Sequence, residues 1–469
     1  MNLYFDNAAT SHPKPEEVYQ ACDKALRAGG NPGRGAHSLS FAAATLQFES
    51  RHEIAQYLGI QDSSRLIFTS GCTASINLVL NGMVGAGRLK AGDTVLTSAF
   101  EHNAVMRPLK ALAESLPLNL VVVPALKAIA EAGVVASSSG ASHFAALVDL
   151  VQLDALLLLH KPALCIFTRA SNVTGQILDL DAVAALVSRY GTPLLIDAAQ
   201  SAGIVHECLE GDLALEKSDL HNSSVSFWVA SGHKSMLGPP GIGLLYVAHG
   251  EVLDPPFRGG TGSRSESFSM PEALPDRLEP GSPAVHLACG VAAGLRYLQS
   301  LPSGFDSARQ HENILSLRFL HGLAVINQVA RNPAIAASGT LDSTTINSGR
   351  GTIELVGRPS WNLNLPAEAQ RQLVEDYLSV FSLRFVSGAG EKIVESKVIQ
   401  KLTPDKVAQY LDDNFGMATR PGLHCALLAH QTLGTVDQGL LRVSFGHGST
   451  EDEVDSLLAA LELAWDLVN

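Results

Sequence analysis

The stretch "WVASGHKSMLGPPGIGLLYV" (residues 228–247) carries a single lysine, Lys234, where an apolar run gives way to a glycine-proline turn. A lysine is costly to bury, and one in a turn is ordinarily a solvated surface residue. Its company changes that reading. Asp197 closes the apolar run "PLLID", so its carboxylate is partly buried and needs a cationic or N–H partner. The small-residue turn "TSGCTAS" (residues 69–75) opens onto a helical pattern and offers Cys72, Thr73 and backbone N–H groups to an anion. His102 also follows an apolar run, where an imidazole can stack on a flat ring or move a proton.

These positions need a scaffold that brings strand ends together. From about residue 15 to 260, helical and strand signals alternate. "KPEEVYQACDKALRA", "FAAATLQFESRHEIAQYLG", "TASINLVLNGMVG" and "DLDAVAALVSRYG" read as helices. "RLIFTSG", "ALCIFTRASNVTG" and "TPLLIDAAQSAG" read as strands running into turns or loops, "DTVLTSAFEHNAV" and "LNLVVVP" as strands, and two further strands flank Lys234. Short apolar strands between helices indicate an α/β chain with a mostly parallel sheet covered on both faces. Working residues of such sheets lie beyond the strand C-termini. Residues 70–73, 101–102, 171–172, 197–200 and 231–234 are therefore expected to converge on one crevice. An amine, a buried carboxylate, a phosphate cradle and a flat aromatic residue together describe a pyridoxal phosphate site, in which the lysine forms a Schiff base and the carboxylate keeps the ring nitrogen protonated.

After about residue 280 the texture shifts to a smaller α+β unit. "SPAVHLACGVAAGLRYLQSL", "FDSARQHENILSLRFLHGLAVI" and "TEDEVDSLLAALELAWDLV" read as helices, and "GTIELVG", "SWNLNLP" and "GLLRVSFGHGS" as strands. The expected division is an N-terminal segment (1–15) packing with the small domain, a large cofactor domain (16–280) and a small C-terminal domain (281–469). The 469 residues are 46% hydrophobic and 17% charged, with a net charge of −13, which argues against nucleic acid or an anionic membrane as the main partner. The six cysteines are scattered without a C-x-x-C pair, as in a reducing compartment. The N-terminus lacks a signal-peptide pattern, and the greasiest run, "FAALVDLVQLDALLLLHKP", is broken by Asp149 and Asp154. A cytoplasmic protein with no metal at its site is expected.

The segments "YFDNAATSHPKP", "GNPGRGAHSLS", "FTSGCTASINLVLNG", "EHNAVMRPL", "SNVTGQILDL", "LIDAAQSAG", "SGHKSMLGPPGIGLLYV", "RGGTGSRSE" and "TRPGLHCALLAHQTLGT" closely resemble, in order, the class V aminotransferase-like family of fold-type I pyridoxal phosphate enzymes. Within it they resemble the cysteine desulfurases of the group that includes selenocysteine lyases. The resemblance implies a seven-stranded-type sheet and a homodimer. It also implies that Lys234 holds the cofactor covalently, Asp197 pairs with the ring nitrogen, Gln200 contacts the ring oxygen and His102 stacks on the ring. Thr73, Ser231 and His233, with Cys72 beside them, would hold the phosphate, joined by Thr261 of the second subunit. Asn172 and Arg442 would bind the substrate carboxylate, with Arg34 and His37 at the rim.

Cys425, in "TRPGLHCALLAH", has Pro and Gly behind it, which predicts an exposed or mobile loop, and Arg420 and His424 would favour its thiolate. The implied cycle has L-cysteine take the place of Lys234 on the cofactor and Lys234 move the α-proton. Cys425 then attacks the substrate sulfur, leaving alanine and a persulfide for a sulfur-acceptor protein. A class V aminotransferase, a selenocysteine lyase acting on L-selenocysteine and a non-catalytic sulfur-carrier or scaffold protein are the alternatives. The chain departs from the family at "LEPGSPAVH", at Arg169, and in inserted stretches near 125–146, 204–224 and 336–352.

Overall fold

The computed structural model describes residues 3–33, 35–127, 144–210, 225–331, 352–359, 361, 366–386 and 403–466. Arg34, the greater part of the three inserted stretches and most of "SWNLNLP" lie outside the described residues.

In chain order the strands are β1 (Leu3–Tyr4), β2 (Leu66–Thr69), β3 (Thr94–Ser98), β4 (Asn119–Val123), β5 (Leu126–Lys127), β6 (Phe144–Ala146), β7 (Leu164–Thr168) and β8 (Leu194–Asp197). They continue with β9 (Phe227–Ser231), β10 (Gly243–Val247), β11 (Thr352–Leu355), β12 (Val380–Val386), β13 (Met417–Ala418), β14 (Arg420–Gly422) and β15 (Leu440–Ser444). The expected mostly parallel sheet is present. Its seven strands run β2-β10-β9-β8-β7-β3-β4, and β10 alone is antiparallel to its neighbours. Runs such as "LCIFT", "LLID" and "FWVAS" are buried along their whole length because apolar clusters cover both faces. β2, β9, β8, β7, β3 and β4 share one direction, so their C-terminal turns lie along one edge. Register places Asp197 level with Thr168 and Val229.

The second sheet, β11-β12-β15-β14, is antiparallel, and helices Phe305–Arg331 and Glu451–Asp466 contribute to its separate apolar core. Register sets Arg442 of β15 directly opposite Arg420 of β14. Helix Val285–Ser300 packs on helices Glu16–Ala28 and Ser38–Tyr57, with its buried face in the core of the large sheet. The N-terminal segment bridges both sheets. β1 pairs with β13, Asp6 bridges to Ser444, and Ser11 donates its N–H to the His233 carbonyl at 3.2 Å.

Several elements carry no clear sequence signal. Helix Leu150–His160 lies in the greasiest run, whose apolar residues surround the helix instead of forming one stripe. Strand β12 ("VFSLRFV") is central to the second sheet, and helices Ala367–Glu375, Pro404–Phe415 and Leu427–Leu433 were not anticipated from pattern. No helix among the described residues is long and apolar enough to cross a membrane.

Candidate active site

The strand ends of the large sheet converge on one cleft of about 790 Å³, closed from the other side by Arg420, His424 and Arg442. It is lined by Cys72, Thr73, His102, Asn172, Asp197, Gln200, Ser231, His233 and Lys234, so the crevice expected from topology is formed. Cys425 and Thr261 are not among its lining residues, and neither is His37.

Lys234 follows β9 in the turn leading to β10. Burial lowers its pKa, Asp197 and Cys72 oppose that shift, and Arg442 and Arg420 add to it. Its ammonium forms no hydrogen bond or ion pair among the described residues. It is a desolvated amine without a dedicated partner, held in a cleft. Asp197, 3% exposed, accepts from the Ala199 N–H at 3.0 Å and from the Cys72 thiol at 3.3 Å. Burial, then Asp197, raises the Cys72 thiol well above its ordinary value, so it is a neutral donor.

His102 caps helix Asn103–Ser115: its Nδ1 accepts from the Ala104 N–H at 3.0 Å. That bond fixes the lone pair on Nδ1, and burial lowers the ring's pKa to about 4. The ring at the cleft is neutral near pH 7. His233 is lowered to about 4 by burial, then by Lys234 and Lys14, and its buried Nδ1 has no partner. Helix Cys72–Gly85 begins without a side-chain cap, so its first N–H groups face the cleft mouth beside Thr73. A close backbone approach builds that turn: a Cβ on Gly243 would lie 2.3 Å from the Gly71 carbonyl carbon. Gln200 is held by donating to the Ala8 carbonyl at 3.0 Å.

Arg442, 2% exposed, donates from Nη2 to Asp6 at 2.6 Å and from Nη1 to the Asn172 carbonyl at 3.2 Å, while its buried Nε has no partner among the described residues. Two arginines facing each other across a ladder repel; Asp6 supplies the compensating charge. Asn172 in turn donates to the His424 carbonyl at 2.7 Å.

Cys425 is exposed, unlike Cys72, Cys165 and Cys289, which are buried. It sits at the rim, where its carbonyl accepts from the Asn103 N–H at 2.7 Å. His424 and Cys425 both take left-handed backbone conformations, with φ of 50° and 56°, a strained pair in non-glycine residues. The expected support for the thiolate is corrected in one respect. His424 is buried, and burial, then Arg442, lowers its pKa to about 3, so its ring offers no positive charge. Pro421 and Gly422 behind the thiol belong to β14, and Cys425 itself lies in the exposed turn that follows.

Thr261 lines a second, larger groove of about 1870 Å³, together with Pro32 and Phe257. His37 caps helix Ser38–Tyr57, its Nδ1 accepting from the Ser40 N–H at 3.2 Å. Arg169, the departure from the family pattern, pairs with buried Glu207 at 2.9 Å, away from the cleft. Among the described residues, no cluster of three or more His, Cys, Asp or Glu side chains is placed to hold a metal ion. Asp6 and Lys14, within the matched segment "YFDNAATSHPKP", escaped sequence reasoning because the partners that give them meaning, Arg442 and the His233 carbonyl, are more than two hundred residues away.

The fold and this cleft define an α/β enzyme of the aminotransferase type. The profile of the family described as aminotransferase class-V matches residues 3–348 and 368–457, and the chain belongs to that family. It is 28% identical over 99% of its length to "Probable cysteine desulfurase" of Vibrio cholerae, covering 94% of that protein. It is also 28% identical over 98% of its length to "Cysteine desulfurase" of Salmonella gallinarum, covering 92% of it. A solved cysteine desulfurase from Thermococcus onnurineus superposes with a TM-score of 0.74 at 26% identity, covering 100% of this chain and 94% of that one.

Proposed function

We propose that this protein is a pyridoxal phosphate-dependent cysteine desulfurase that converts L-cysteine to L-alanine and leaves a persulfide on Cys425. The observation that carries the reading is Lys234: an amine with lowered pKa and no hydrogen-bond partner among the described residues, in one cleft with Asp197, His102 and Arg442. The donor set fits the cofactor. Lys234 is free to bond its aldehyde carbon, and Asp197 can hold a proton on the ring nitrogen. Neutral His102 can stack on the ring, Gln200 can meet the ring oxygen, and the uncapped helix start with Thr73, Ser231 and His233 can take the phosphate. When bound, the cofactor supplies an electron sink for the bonds at the substrate α-carbon.

The chain's own groups do the rest. Arg442 and Asn172 hold the carboxylate, and the bare Nε–H of Arg442 is a donor awaiting an acceptor. Lys234, whose pKa burial lowers from the ordinary lysine value, is the base placed to take the α-proton. The Cys425 thiolate then attacks the substrate sulfur: the S–S bond forms, the Cβ–S bond breaks, and its electron pair stays with the three-carbon fragment. That fragment leaves as alanine after protonation. An exposed cysteine at the rim favours this over an aminotransferase, which needs no thiol there, and suits transfer to a sulfur-acceptor protein. L-selenocysteine is the second substrate this chemistry admits.

Thr261 lies outside its own chain's cleft, which supports a homodimer in which it completes the partner's phosphate site. We assign residues 16–280 to the large domain, 281–469 to the small one, whose first helix Val285–Ser300 packs back into the core of the large sheet, and 1–15 to a bridging segment, and we place the protein in the cytoplasm. The test is direct. Protein loaded with cofactor is yellow and releases alanine and sulfide from L-cysteine plus a thiol reductant. Cys425→Ala keeps the colour and loses sulfide release; a variant that still forms sulfide at the wild-type rate overturns the assignment.

A further inference from the structure

The N-terminal segment grips the turn that carries Lys234. The His233 carbonyl, part of the peptide group that joins it to Lys234, accepts from Lys14 Nζ at 2.6 Å, Thr10 Oγ1 at 3.1 Å and the Ser11 N–H at 3.2 Å. The Ser11 hydroxyl accepts from Lys14 Nζ at 2.7 Å and donates to the Lys234 carbonyl at 2.9 Å. Both carbonyls on either side of the Lys234 α-carbon are thus tied to residues 10–14.

Lys14 is the unusual member. Burial brings its pKa down to about 8, and no acidic neighbour among the described residues opposes that shift. A desolvated cation without a counter-charge is costly, and a neutral side chain would pack there at less cost. The charge is spent on two neutral acceptors, one of them the backbone of the Lys234 turn, where charge-assisted bonds hold geometry most firmly. Lys14 does not line the cleft and acts through His233.

We propose that Lys14 is a positioning residue for Lys234: with Thr10 and Ser11 it locks the His233–Lys234 peptide in the orientation that presents the Lys234 amine and the His233 ring to the cofactor. The proposal rests on the reading of Lys234 as the cofactor-binding lysine. Without the lock, the turn samples other orientations, and cofactor binding must select the competent one, which weakens apparent affinity.

The test compares wild type, Lys14→Met and Lys14→Arg. Cofactor-free protein is titrated with pyridoxal phosphate, followed by the absorbance of the bound form, and its melting temperature is measured separately. Lys14→Met is expected to raise the cofactor dissociation constant about tenfold or more, the factor of one charge-assisted hydrogen bond. Its cofactor-free melting temperature should not fall, because a desolvated charge has been removed. Lys14→Arg should recover most of the affinity. Wild-type affinity in Lys14→Met overturns the proposal. So does a joint loss of affinity and cofactor-free stability that Lys14→Arg does not rescue, which marks a purely structural lysine. If wild type shows no saturable absorbance that Lys234→Ala abolishes, the reading of the site itself fails, and this proposal with it.

Discussion

Replacing Arg442 by lysine separates geometry from charge at the proposed carboxylate clamp. The substitution keeps a cation beside Asp6, so the half-buried carboxylate at 2.6 Å retains a partner. What disappears is the planar fork. Arg442 spends Nη2 on Asp6 and Nη1 on the Asn172 carbonyl, and holds Nε–H in reserve, buried and unpaired. A substrate carboxylate satisfies that N–H and shares a second; a lysine ammonium already committed to Asp6 offers a single point contact. Losing one charge-assisted hydrogen bond of about 1.5–3 kcal/mol corresponds to about a tenfold to hundredfold rise in KM for L-cysteine. Because Lys234 and Cys425 are untouched, kcat should stay within about threefold. The assay is alanine formation over a wide range of L-cysteine concentration, with the cofactor absorbance as a control for an intact site. A KM within about threefold of wild type refutes the reasoning. It would transfer the carboxylate to Arg420, the cation directly across the ladder, and Arg420→Lys would then show the rise instead.

Stability of the cofactor-free protein should peak near neutral pH. His102, His233, His430 and His447 are each lowered to about 4 and His424 to about 3, all chiefly by burial. The stability these neutral rings contribute is present above the ordinary value of 6.5 and lost as pH falls towards 4, up to about 1.4 kcal/mol per pH unit for each ring that must charge. Burial raises Glu101 to about 8 and Glu312 to about 7, so their contribution runs the other way and fades as pH rises through those values. Melting temperatures at pH 5, 7 and 9 check this; a value at pH 5 equal to that at pH 7 contradicts it. Gly243→Ala should cost about 1–3 kcal/mol by overpacking, since its Cβ would meet the Gly71 backbone at 2.3 Å. Because Gly71 precedes the uncapped helix start, cofactor affinity should fall with it, read by denaturant unfolding and cofactor titration.

Much of the large sheet is legible in sequence because its strands are short apolar runs ending in polar turns, and the topology of such sheets sends those turns to one edge. Lys234, Asp197, His102 and Asn172 could therefore be placed together before any coordinates. The second sheet is less legible. "VFSLRFV" alternates too weakly to declare a strand, and "LVQLDALLLLH" is apolar around its circumference, so periodicity cannot tell helix from strand. The state of the ring beside Cys425 is not legible either: "LHC" shows a histidine, and it is burial, together with Arg442, His430 and Arg420, that lowers its pKa. Asp6 and Lys14 draw their meaning from carbonyls and guanidinium groups far along the chain, which no local pattern encodes.

The antiparallel register that sets Arg442 against Arg420 also fixes where the chain leaves the ladder for Cys425, three residues past Gly422. On the proposed reading, anchor and nucleophile are graduations on one ruler, with the carboxylate at one mark and the sulfur at the other. The spacing of the two is thus held by backbone pairing, and a slip in the β14–β15 register would carry one away from the other.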